Sequence, residues 1–173
     1  MNTEIFYYSI IEIVISLFFG VLLLYFTYKL IDRLVRKKLG ISLDNISFSI
    51  FSSSILFSVA YLISGIKSPI LNSLKMLGDN PEYEGSLILD GFKYSGIFLS
   101  LMVFSIAMVI FISIKLFTYM TVNLDEFKEI QKNNIAVAIL TATIVISISL
   151  LIKESLYLLL ESFVPYPDIP NIF

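Results

Sequence analysis

Two ionisable side chains of opposite sign fall at or inside long apolar runs. Glu12 lies well within the first run, and Lys93 sits at the head of the third. A charge within a bilayer is costly and normally faces protein or water, so each marks a candidate functional group. The two stand 81 residues apart, the same offset that places Leu43–Asp44 on Leu124–Asp125. In equal register on two repeats they would form an intramembrane ion pair. The plainer alternative puts Glu12 among lipid head groups and lets Lys93 snorkel. Asn134, where a charged segment turns into an uncharged one, is a hydrogen-bonding group at the start of a helix. It either faces a pore or partner, or bonds a neighbouring helix.

Other chemistry is scarce. The chain has no His and no Cys, which removes Ser–His catalysis, thiol nucleophiles, disulfides and zinc sites of the usual kind. The carboxylate pairs Asp125–Glu126 and Glu82–Glu84 stand in charged surroundings and read as solvated faces. No Gly-rich phosphate loop is present, and no cofactor is expected. Net charge is −2 without a long basic run, which excludes a nucleic-acid partner. The expectation is a protein without enzymatic activity.

The elements that must position these residues are long and apolar. Of 173 residues, 57% are hydrophobic and only 15% charged, and mean hydropathy is +0.89. Four stretches, 5–30, 46–66, 94–114 and 134–152, have the ~20 apolar residues that cross a bilayer. The fold class expected is an all-α integral membrane protein, one domain over 1–173, with four transmembrane helices arranged as two parallel two-helix repeats. Repeat one covers about 5–66 and repeat two about 88–162. Between them lies an outer loop at 67–87, and a Pro-rich tail follows at 163–173. Within the outer loop Ile70, Leu71, Leu74 and Leu77 share a helical face behind Pro69, which predicts a short helix on the membrane surface.

Lysine and arginine set the orientation. One side holds Lys29, Arg33, Arg36, Lys37, Lys38, Lys115, Lys128 and Lys132; the other holds Lys67, Lys75, Lys93 and Lys153. Both termini are therefore expected outside, with loops 32–43 and 115–133 cytoplasmic. The cluster Arg33, Arg36, Lys37 and Lys38 would anchor to anionic lipid.

Ser42 and Asn123 are good N-caps, and Glu126 follows Asn123 in a capping-box spacing. Each predicts a helix that begins in water and continues into the bilayer. At the offset of 81, Asn134 falls on Ser53, so these two are the paired polar positions at the helix starts.

Leu124–Asp125–Glu126 followed by Asn134, Ala136 and Ala138 resembles the YjfL-like family of bacterial inner-membrane proteins, domain of unknown function 350. That family usually has Gly where this chain has Asn133, and the first repeat departs further, with Ser52, Ser53 and Ser54. The resemblance implies a four-span protein of the bacterial inner membrane and supplies no activity.

Small residues let helices approach closely in lipid. The fourth span carries them on two faces, one with Ala138 and Ala142 and the opposite one with Thr143 and Ser147. The second span does the same, with Ser49 and Ser53 on one seam and Ser54 and Ser58 on the other. The first has Ser16 and Gly20, and the third Gly96 and Ser100. Each seam meets either another helix of the same chain or a neighbouring subunit. The function expected is an oligomeric membrane scaffold, a homo-oligomer or a subunit of a membrane complex. The alternative is a small ion channel or pore-forming oligomer.

Overall fold

The computed structural model describes residues 3–37, 39–42, 44–78, 87–120 and 125–164, and no strand occurs among them. Helix α1 spans Thr3–Ile31 and runs into a π-helical turn at Asp32–Lys37. Helix α2, Ile46–Ile63, passes through a 3-10 turn at Ser64–Ile66 into α3, Lys67–Gly78. Then come α4, Leu87–Met120, the short α5, Glu126–Gln131, and α6, Ile135–Glu161.

Three stretches of the described residues are long and apolar enough to cross a membrane: Ile46–Leu77, Phe92–Ile112 and Ile135–Glu161. Their outward faces are unsuited to water. Leu151 is 79% exposed, Phe104 67% and Leu158 66%, a density of bare apolar surface that marks contact with lipid or protein.

The central unit is the pair α2 and α6, which run parallel. At their starts the Asn45 amide donates to the carbonyl of Ile130 at 3.0 Å, just before α6 begins. Further along, the Lys153 ammonium lies 4.2 Å from the centre of the Tyr61 ring. Beyond that, the Asn72 amide of α3 donates to Glu161 at 2.7 Å. Helix α1 packs on α2 and α3, and α4 packs on α6, α3 and α2. Phe51, Val59 and Leu62 of α2, Phe98, Met102 and Val109 of α4, and Val145 and Leu160 of α6 are all but fully buried. In lipid their contribution is close packing rather than escape from water.

The turn between α2 and α3 has a local cause. Pro69 has no N–H to donate back along the helix, so the chain tightens just before it and resumes with Pro69 in the first turn of α3. The helix expected within 67–87 is therefore present, but its apolar face is packed inside the bundle rather than left bare. Ile70 and Leu74 are 2% and 8% exposed, because α3 prolongs α2 and its apolar stripe meets α1 and α4. Residues 79–86 of the expected loop and the tail from 165 lie outside the described residues.

A second correction concerns the helix expected to rise unbroken from Asn123 into the bilayer. Asn123 lies outside the described residues, and the chain breaks between α5 and α6, where Asn133 takes φ 62°. A left-handed residue cannot continue a right-handed helix, and Asn tolerates it better than most.

The Lys153–Tyr61 contact is worth ~0.5–2 kcal/mol if it behaves as a cation–π pair. Tyr61→Leu is expected to lower the thermal unfolding midpoint in detergent micelles, whereas Tyr61→Phe, which keeps the ring, should leave it unchanged. Equal midpoints for both variants would remove the contact as a stabilising element.

Candidate functional site at the paired helix starts

The first N–H groups of a helix have no partner within it, and in or near a bilayer they cannot be left bare. Both α2 and α6 meet this need with asparagine. Asn45 Oδ1 accepts from the N–H of Phe48 at 2.8 Å, and Asn134 Oδ1 accepts from the N–H of Val137 at 3.3 Å. Asparagine also donates, which aspartate cannot. Asn45 Nδ2 reaches the carbonyls of Ile130 and Gln131 at 3.0 and 3.3 Å. Asn134 Nδ2 reaches Glu129 Oε2 at 2.8 Å. Asn133 closes the exchange, its Oδ1 accepting the N–H of Ser47 at 3.0 Å. Gln131 donates to the carbonyl of Leu39 at 2.7 Å and so holds the loop after α1.

Asn45 is buried, and the network around it joins three chain segments at one end of the bundle. Beside it Asp125 caps α5, accepting from the N–H of Lys128 at 3.2 Å. Hydrogen bonds from Lys132 and then Asn134 hold the Glu129 carboxyl below its ordinary range, and the same pairing raises Lys132. Lys128 does the same for Asp125. On the π-helical turn Asp32 bonds Arg36, which lowers the Asp32 carboxyl, and Lys37 lies 3.6 Å from the second oxygen.

An apolar groove of about 630 Å³ opens next to this network, where α1 and α4 diverge over α2. Ile31, Phe51, Ile55, Ile106 and Phe127 line it, and Asp125 and Lys128 stand at its rim. Among the described residues no group of three His, Cys, Asp or Glu side chains is placed to hold a metal ion.

The residues singled out from the sequence distribute as follows. Asn134 is the α6 cap. Ser53 is not its counterpart: it lies exposed within α2, and Asn45 occupies the equivalent cap. Nor does Ser42 start that helix, because Asn45 does. Ser54, Ser58, Ala138 and Ala142 are buried, while Thr143 and Ser147 are exposed. Ser16 and Gly20 are half-buried, and Lys93, Gly96 and Ser100 lie on the exposed side of α4. The buried side of α4 is instead Ser95, Phe98, Met102 and Ile106. Arg33 is exposed. The Glu12 side chain and Lys38 lie outside what is described.

Asn45 and Gln131 escaped the sequence reading; Glu129 entered it only through the i, i+3 and i, i+4 pairs of Asp125, Lys128, Glu129 and Lys132, of which Lys128–Asp125 and Lys132–Glu129 form, and Asn133 only as the departure from the family's Gly. A signal for the first was present. Asn45–Ile46–Ser47–Phe48–Ser49 matches Asn134–Ile135–Ala136–Val137–Ala138 in residue class, at an offset of 89 rather than 81. The shared Leu–Asp pair had pulled the register eight positions away from it.

The site therefore belongs to a helical bundle of membrane type whose two central helices start side by side on paired caps. Residues 4–156 match the family described as Domain of Unknown Function (DUF350), and the chain belongs to that family. No curated protein and no solved structure matches it. The left-handed backbone at Asn133 gives a physical reason for glycine at that position in the family pattern.

Asn45→Ala leaves the Phe48 N–H without its acceptor and takes one donor from the carbonyls of Gln131 and Ile130, the latter keeping the Asn133 N–H, and Asn45→Asp keeps only the acceptor. Both are expected to destabilise by about 1–3 kcal/mol, as unsatisfied buried polar groups do. Denaturant unfolding in micelles measures this, and a neutral Asn45→Asp would show that the donated bonds do not matter. A second expectation concerns pH. The Glu129 carboxyl is lowered on folding, so its stabilising share is complete at neutral pH and is lost as pH falls through that lowered value. Glu129→Gln should flatten the acid limb of the stability curve and leave the neutral plateau's shape alone.

Proposed function

We propose that the protein is a multi-pass membrane scaffold without enzymatic activity, a self-associating subunit that organises a membrane complex. The observation that carries this reading is that each central helix has two small-residue faces, of which the chain uses one. Ser47, Ser54 and Ser58 of α2 are buried, while Ser49, Ser53 and Ala60 are exposed. Ala138, Ala142 and Ser149 of α6 are buried, while Ala136, Thr143 and Ser147 are exposed. Small faces are what membrane helices use to associate.

In this reading α1, 29 residues long, is the fourth span, and the chain is two parallel two-helix repeats, α1–α2 and α4–α6. The repeat is supported by the paired Asn45 and Asn134 caps at an offset of 89. The basic π-helical turn and the α5 region face the cytoplasm of a bacterial cell, and both termini lie outside. Arg33, Arg36 and Lys37 then lie at the anionic inner leaflet.

A channel is the second reading, favoured by the exposed hydroxyls of Ser53, Ser64, Thr143 and Ser147. Two of these hydroxyls are satisfied within the helix: Thr143 donates to the carbonyl of Ile139 at 2.9 Å and Ser64 to that of Tyr61 at 2.6 Å. They can therefore face protein or lipid without water. The test is mass measurement in nanodiscs together with ion flux in liposomes. A scaffold is expected to be oligomeric and non-conducting. A monomer would defeat both readings, and flux from the oligomer would replace the scaffold with the channel.

A further inference from the structure

The two free faces are complementary in a way the chain itself demonstrates. Along α2 and its continuation, contacts mark the stripe that faces α6 and the turn before it. The Ser47 N–H bonds Asn133, the Tyr61 ring lies under Lys153, Gly65 sits beside the Lys153 stem, and Asn72 of the prolonged helix bonds Glu161. At 3.6 residues per turn these lie on one stripe, and the buried Ser54 and Ser58 fall on it as well. On α6 Lys153 fixes the facing stripe, which carries the buried Ala138, Ala142 and Ser149.

Now the helices are placed in the register set by their caps, 89 residues apart. The face α2 uses, Ser47, Ser54 and Ser58, corresponds to Ala136, Thr143 and Ser147. That is the face α6 leaves exposed. The face α6 uses, Ala138, Ala142 and Ser149, corresponds to Ser49, Ser53 and Ala60. That is the face α2 leaves exposed. A two-fold contact uses the same face twice and leaves nothing over. This one is head-to-tail, and a head-to-tail contact leaves one unused face at each end, ready for another unit.

We propose that a second copy of this chain docks there. The exposed α6 face of one copy, Ala136, Thr143 and Ser147, packs parallel against the exposed α2 face of the next, Ser49, Ser53 and Ala60. The contact between copies repeats the contact within each copy. In this packing Glu154 of one chain comes level with Ser64 of the next. Around α2 the two stripes stand about 140° apart at ~100° per residue, short of the 180° of a straight row, so successive copies curve toward a closed ring. Helices α1 and α4 lie on the outside, because both cover the same side of the α2–α6 row where the apolar groove opens.

This inference rests on the scaffold reading, and its test separates the two. The chain has no cysteine, so engineered pairs report without background. Chains carrying Ser53→Cys alone and Thr143→Cys alone are co-expressed in membranes and oxidised. A mixed dimer is expected, with at least tenfold less homodimer of either. Predominant homodimer would mean a two-fold contact and overturn the proposal. An oligomer by mass with no mixed cross-link would overturn it too, while leaving the scaffold intact; a monomer removes both. Ser53→Leu and Thr143→Leu, one on each face, are each expected to abolish the oligomer while helix content and thermal midpoint stay at the parent level. Assembly that survives both substitutions would also overturn the contact.

Discussion

The structure depends on satisfying backbone N–H groups where two helices begin together in an environment with little water. Asparagine does this at both starts, and at both it does more than cap. Asn45 accepts from its own helix and donates to the carbonyls that end α5. Asn134 accepts from α6 and donates to Glu129. Each cap is thus also a crosslink. The register of α2 against α6 is set at the caps and kept by Lys153 on Tyr61 and Asn72 on Glu161 further along.

Register then decides which faces meet. With the starts level, the small residues of α2 and α6 share the facing stripes, and the larger Tyr61 and Lys153 meet toward the far end. Other bulky residues go to the side, where α4 fills the remaining space with Phe98 and Met102. Ser54, Thr141 and Ser149 return their hydroxyl protons to the preceding turn, which makes each tolerable in an apolar surrounding; the Ser47 and Ser58 hydroxyls, buried on the same α2 face, have no such partner. The same seam chemistry on the unused faces is why self-association, rather than catalysis, is the function proposed.

Much of the architecture was legible in the residues. Length and hydropathy located the apolar helices, and the absence of charge along 134–152 marked α6. The two-sided distribution of small residues on α2 and α6 was also visible. The helix over 67–78 followed from Pro69 and the Ile70–Leu74 spacing. What failed was register. A shared Leu–Asp pair is a short signal, and it outweighed the longer agreement that begins at Asn45 and Asn134. The break at Asn133 was also missed, since a polar pair before an apolar run reads equally well as a continuous helix.

The sequence by itself determined that the chain is helical and apolar, which residues can cap, and which faces are small enough to pack. Those properties are local: composition, side-chain volume and 3.6-residue spacing are present in the chain before it folds. Only the tertiary structure decided that Asn45 caps α2, that α3 turns inward, and which small face of each helix is spent inside the chain. The reason is physical. Two faces of similar chemistry on one helix are equivalent until a partner arrives, and the partner is fixed by bonds such as Asn45 to Ile130 and Asn133 to Ser47, which join residues 85 and 86 positions apart.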